Sequence, residues 1–128
     1  MPPVFLSLGE ILEIHSDQIE RYGGSPAVRD FGLLRSALAT PTAGVDERYL
    51  HDDLFEMAAA YLFHLIGNHP FVDGNKRTGA VAALVFLSLN GIEIEADEDS
   101  FEELVRSVAQ GKTGKTSVAE FLRVHAIA

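Results

Sequence analysis

The chain contains no cysteine. That excludes a disulfide framework and any zinc–thiolate site, and it fits a reducing compartment. The opening residues, Met1-Pro2-Pro3-Val4-Phe5-Leu6, lack the basic segment and apolar run of a signal peptide, so a cytoplasmic protein is expected. No apolar run is long enough for a membrane. Leu54 to Ile66 is interrupted mainly by Glu56 and His64, and Ala80 to Leu89 only by Ser88; both fall short of the roughly 18 residues a span requires. No repeat, low-complexity linker or break in composition divides the 128 residues, which suit a single domain over 1–128. Basic residues are also few. Ten Lys and Arg stand against nineteen Asp and Glu, a net charge of −9. Non-specific nucleic-acid binding needs phosphate neutralisation, so direct nucleic-acid binding is not expected.

What is present is an apolar core. Hydrophobic residues make up 47% of the chain, which argues against disorder. The two apolar stretches have no polar face and read as buried helices at the centre of the fold. Around them the punctuation predicts a mostly α domain of about six helices. Ser7 and Glu10 have the spacing of a capping box, opening a helix to about Tyr22 with Leu8, Ile11, Leu12, His15 and Ile19 on one face, closed by Gly23-Gly24. Asp30 caps Phe31 to Ala39, which Pro41 closes. Residues 40–51 read as a loop. Asp52 or Asp53 caps the first apolar helix, which ends near Gly67, and the second runs from about Gly74 to Asn90-Gly91. Asp99 or Ser100 opens a helix from Phe101 to Ala109, and Ser117 the last, to about His125. Val4-Phe5-Leu6 and the alternating Ile92-Glu93-Ile94-Glu95 form a candidate short β pair. The acidic cluster Glu93, Glu95, Asp97, Glu98, Asp99, Glu102 and Glu103 reads as a solvated strand edge and helix front, with a metal site as the alternative; it lacks the pattern of a calcium loop.

The chemistry concentrates between the two buried helices, in His69-Pro70-Phe71-Val72-Asp73-Gly74-Asn75-Lys76-Arg77-Thr78. A helix start offers unpaired N–H groups and the positive end of a dipole to an anion. Lys76 and Arg77 add formal charge, and an arginine can grip a phosphate with two parallel bonds. Gly74 lets the backbone approach a ligand. Asp73 is either a plain N-cap or, beside such a cradle, a ligand for Mg²⁺; its neighbours favour the metal. Loop histidines are commonly structural, but His69 next to an anion site is placed to take a proton from a hydroxyl near neutral pH. Phe71 is expected to point inward and pin the loop. The small residues Thr78-Gly79-Ala80 allow close packing beneath it.

This ten-residue stretch resembles the signature of the Fic superfamily, His-Pro-Phe-x-[Asp/Glu]-Gly-Asn-Gly-Arg-x-x-Arg. Lys76 replaces a glycine and Ala80 the second arginine, as in the death-on-curing (Doc) branch. Arg29-Asp30-Phe31-Gly32-Leu33-Leu34 and Phe86-Leu87-Ser88-Leu89-Asn90-Gly91 agree with that branch. The resemblance implies a Fic/Doc helical bundle and a toxin of a type II toxin–antitoxin system, restrained by a cognate (Phd-like) antitoxin. It implies ATP and Mg²⁺ as cofactors, His69 as general base, Asp73 on the metal, and Gly74, Asn75, Lys76 and Arg77 on the nucleotide phosphates. Without the second arginine, it implies transfer of the γ-phosphate to a Ser/Thr hydroxyl of a translation factor like elongation factor Tu. The alternatives are AMP transfer of the wider Fic kind, against which Lys76 and Ala80 speak, and a catalytically silent antitoxin-binding module, against which His69 and Asp73 speak. An inhibitory helix within the chain is not expected: Ser16 to Glu20 runs on to Arg21 and Thr116 to Glu120 to Phe121, where that motif has Gly or Asn.

Other features carry weaker signals. Gly111-Lys112-Thr113-Gly114-Lys115-Thr116-Ser117 imitates a P-loop, but Ala109 stands where its first glycine belongs and a helix precedes it. It reads as a turn and a helix start. His64 reads as a satisfied core histidine or a support for the motif. His15, His51 and His125 receive no role.

Overall fold

The computed structural model describes residues 2–46 and 48–127. Among the described residues are six helices: α1 (Leu8–Tyr22), α2 (Phe31–Ala39), α3 (Leu54–Asn68), α4 (Asn75–Leu89), α5 (Glu98–Ala109) and α6 (Lys115–Val124). None is long and apolar enough to cross a membrane. The expected capping box forms in full, with Ser7 accepting from the Glu10 N–H and Glu10 accepting from the Ser7 N–H. Asp30 and Asp53 cap α2 and α3 by accepting from Leu33 and Glu56.

α3 is the centre. It packs on α4, α6, α2 and α5, which explains why it is apolar on every side. Tyr61, Leu62 and Leu65 of α3 and Phe86 and Leu87 of α4 have no solvent exposure. The α3–α4 contact is close because Gly79 sits there: a Cβ on it would lie 3.2 Å from the Leu62 carbonyl oxygen. The Tyr61 hydroxyl accepts from the Leu6 N–H at 2.9 Å, tying the N-terminal segment to the core. Burial pushes this phenol up to about 12, so it remains protonated.

Several expectations are corrected. The pair between Val4–Leu6 and Ile92–Glu95 does not form. Both backbone groups of Val4 bond the Asn90 side-chain amide, at 2.8 and 2.9 Å, and the Leu6 N–H is taken by Tyr61. Ile94 bridges Ala126 instead, with the Glu95 N–H donating to His125 and the Ile127 N–H to Glu93. The strands that do form lie inside the predicted loop 40–51: β1 (Gly44–Val45) and β2 (Arg48–Tyr49), antiparallel, with Gly44 opposite Tyr49 and Val45 opposite Arg48. α5 starts earlier than expected because Asp97 is the cap, accepting from both the N–H and the hydroxyl of Ser100. α6 starts at Lys115 after an extended Gly114, anchored by a bond from the Lys115 ammonium to His64. The P-loop look-alike is therefore a turn and a helix start. The acidic cluster is a solvated one: Glu98 and Asp99 stand in the first turn of α5, and Glu102 and Glu103 pair with Arg106 on its surface.

Candidate active site

The motif occupies the turn between α3 and α4, at one end of the central helix pair. α3 stops at His69, which takes a left-handed conformation (φ 50°, ψ 54°). That is unfavourable for a residue with a side chain and persists only where neighbours fix it. Arg29 does so: its guanidinium donates to the carbonyls of His69 (2.7 Å) and Asn68 (3.1 Å), capping the end of α3. The segment 25–30 is stitched along the whole loop. Arg29 and Asp30 N–H groups donate to Pro70, the Val72 N–H donates to Ala27, and Val28 bridges Phe71.

Phe71 points inward as expected and is fully buried. It stacks on the imidazole of His15, with ring centroids 3.7 Å apart and planes within 7°. Asn75 is buried too, and its amide is turned to the loop. Oδ1 accepts from the Phe71 N–H, and Nδ2 donates to the Phe71 carbonyl and to His69 Nδ1 at 3.1 Å. The side chain therefore holds the loop, and what Asn75 can offer an anion is its backbone N–H. Because His69 Nδ1 accepts, the neutral ring carries its hydrogen on Nε2 in this arrangement.

Asp73 is exposed, with Oδ2 accepting from the Ser25 N–H at 2.7 Å and its backbone carbonyl accepting from His15 Nε2 at 2.8 Å. The approach of the two loops depends on Gly24 (φ 113°), where a Cβ would lie 2.9 Å from the Asp73 Cβ. Gly74 follows in the left-handed region (φ 84°) as a cap that offers no side-chain acceptor. Intrahelical bonding starts with the Thr78 N–H to Gly74, so the N–H groups of Asn75, Lys76 and Arg77 have no partner within the helix.

His69, Asp73, Gly74, Asn75 and Lys76 thus meet in one cleft of about 400 Å³, closed by Ile66, Val72 and Ala109. Arg77 reaches its edge but is partly engaged elsewhere. Its guanidinium donates to the carbonyls of Gln18 and Gly23, each at 3.1 Å, and covers the Tyr22 ring. It locks α4 onto the end of α1, and two of its five donors are already used. Among the described residues no group of three or more His, Cys, Asp or Glu converges. A metal here would have one protein carboxylate, and phosphate and water oxygens would complete its shell, as Mg²⁺ prefers. A larger cleft of about 640 Å³ lies at the other end of the α3–α4 pair, near Leu54 and Leu89; it carries no cationic helix start.

His64 has a partner, the Lys115 ammonium at 3.0 Å, and does not touch the motif. Sequence reasoning overlooked His15, Arg29 and Ser25. Arg29 stood within the family resemblance but without a role. His15 had one visible signal, its place between Ile11 and Ile19 on the buried face of α1.

Comparison with known proteins places the chain in a family. A family model described as the Fic/DOC family matches residues 5–87. The chain is 43% identical over 100 residues to "Toxin Doc" of Mycolicibacterium smegmatis, covering 77% of each protein. It is 36% identical over 118 residues to "Protein kinase doc" of Escherichia phage P1, covering 92% of each. With the family model spanning most of the fold and two relatives matched over most of their length, the chain belongs to the Fic/DOC family.

Proposed function

We propose that the protein is a Doc-type toxin that transfers the γ-phosphate of ATP, with Mg²⁺, to a Ser/Thr hydroxyl of a translation factor like elongation factor Tu, and so blocks translation. The observation that carries this is the juxtaposition in one cleft of His69, the Asp73 carboxylate and the unpartnered first turn of α4. Phosphoryl transfer needs positioning and charge neutralisation more than covalent chemistry, and this cleft supplies both from a rigid support. The name of the phage relative favours a kinase, as do Lys76 and Ala80 at the positions that set the Doc branch apart. The relative named as a toxin supports control by a separate antitoxin.

In this reading the backbone N–H groups of Asn75, Lys76 and Arg77 and the Lys76 ammonium hold nucleotide phosphates. Asp73 keeps one oxygen on Ser25, and its other oxygen would hold the metal, which would supply charge neutralisation when bound. The target hydroxyl oxygen bonds to the γ-phosphorus, the bond from that phosphorus to the β–γ bridging oxygen breaks, and ADP leaves. His69 takes the hydroxyl proton. To accept it at Nε2, the ring must first carry its hydrogen on Nδ1, which exchanges the bond from Asn75 for another partner.

ATP labelled at the α or the γ phosphate, incubated with the protein, Mg²⁺ and elongation factor Tu, tests this. Transfer of γ label that falls at least about a hundredfold in His69→Ala, the usual worth of a positioned base, is the expected result. Transfer of α label means AMP transfer. Toxicity that survives His69→Ala means the protein acts by binding alone.

A further inference from the structure

Buried polar side chains are costly unless bonded, and His15 is a buried one, 3% exposed, that the mechanism above does not use. It lies on α1, 58 residues from Asp73, yet it touches the motif at three points. Its ring stacks on Phe71. Its Cδ2 would lie 3.5 Å from a Cβ on Gly74, so it packs beneath the cap of α4. Its Nε2 meets the Asp73 carbonyl oxygen at 2.8 Å. A carbonyl only accepts, so Nε2 carries a hydrogen and the tautomer is fixed. The stacking fixes the plane of the ring, and hence the direction of that N–H.

We propose that His15 is a positioning residue for the metal site: its Nε2–H holds the Asp73 carbonyl, and through it aims the Asp73 carboxylate. The inference rests on Asp73 being the metal ligand. The Asp73 peptide is held from two sides. The Ser25 N–H fixes the side chain from the outside, and His15 fixes the main chain from the core. The next residue, Gly74, has no side-chain cap and a left-handed backbone that any residual freedom at Asp73 would let rotate. Groups that orient a metal ligand without touching the metal commonly govern affinity for it.

The test is the gain in ATP affinity on adding Mg²⁺, measured by titration calorimetry with Mg²⁺ and with chelator. Wild type, His15→Phe, which keeps a stacking ring without the donor, and His15→Gln, which offers an amide N–H, are compared. The expected result is a gain that falls by roughly tenfold or more in His15→Phe, with affinity in chelator unchanged, and that His15→Gln largely restores. A purely packing role would lower the melting temperature and leave the gain intact, and that outcome overturns the proposal. If His15→Phe does not fold, the ring ¹⁵N spectrum of the wild type decides: an Nε2–H tautomer whose shift moves when Mg²⁺ joins ATP supports it, and an unmoved shift overturns it. A wild type with no Mg²⁺ gain removes the metal reading of Asp73 and this inference with it. A wild-type gain retained in His15→Phe removes this inference alone.

Discussion

Two motif residues are held by neighbours distant in sequence. His69 keeps a left-handed backbone because Arg29 bonds its carbonyl, and Asp73 keeps its direction because Ser25 and His15 bond it from opposite sides. Gly24 is the residue on which this depends most visibly. It has a positive φ, and a Cβ there would lie 2.9 Å from the Asp73 Cβ, so a methyl group is both strained and obstructed. Gly24→Ala is expected to cost about 1–3 kcal/mol and to pull Ser25 off the Asp73 carboxylate. Amide hydrogen exchange at Ser25 should then quicken by more than global destabilisation explains. An exchange rate that tracks global stability alone would show the loop adjusting without loss of that bond.

At the scale of the element, helix ends set the arrangement, and α6 shows how. It opens on a glycine with no side-chain cap, and what fixes its start is the Lys115 ammonium donating to His64 on α3. That bond requires an unprotonated imidazole. Burial pushes His64 down to about 4, and the charge of Lys115 and the nearby His51 push the same way. His51 is itself lowered by burial and Lys115, against the opposing pull of Glu56 and Asp52. The unfolded chain thus takes up protons near the ordinary histidine value of 6.5, before the folded one does. Stability is full above that pH and falls as the pH drops towards about 4. Wild type is expected to lose more stability than His64→Gln between about pH 7.5 and about pH 5.5, as denaturant midpoints would show. Parallel losses would mean that the α3–α6 bond does not sense protons. The caps at Ser7, Asp30 and Asp53 were legible in the sequence because each is a local signal, a side chain and an N–H three residues apart. The start of α6 was not, since it depends on a partner 51 residues away. Nor was the pairing of Ile94 with Ala126, because an alternating run shows that it will pair but not with what.

Across the whole molecule, the sequence revealed the central helix pair and the motif between its members, since both depend on runs of adjacent residues. It did not reveal the shell that holds the motif. That shell comes from α1 and segment 25–30, and contacts spanning 40, 48 and 58 residues leave no periodic trace. The site therefore rests on how α3 and α4 meet, and two glycines separate that effect from simple helix propensity. Gly67, in the last turn of α3, has nothing within 4 Å of where a methyl group would sit, whereas Gly79 faces Leu62 and Ile66 at 3.2 Å. Gly67→Ala should stabilise by about 0.5–1 kcal/mol, because alanine gives up less backbone entropy in a helix. Gly79→Val should cost about 1–3 kcal/mol, because the added carbons enter a filled contact. The second change also pushes apart the two helices whose ends carry His69 and Asn75, so it should weaken ATP binding at temperatures where the variant is still folded. Destabilisation with unchanged ATP affinity would show that segment 25–30 and His15 hold the loop without help from the α3–α4 spacing.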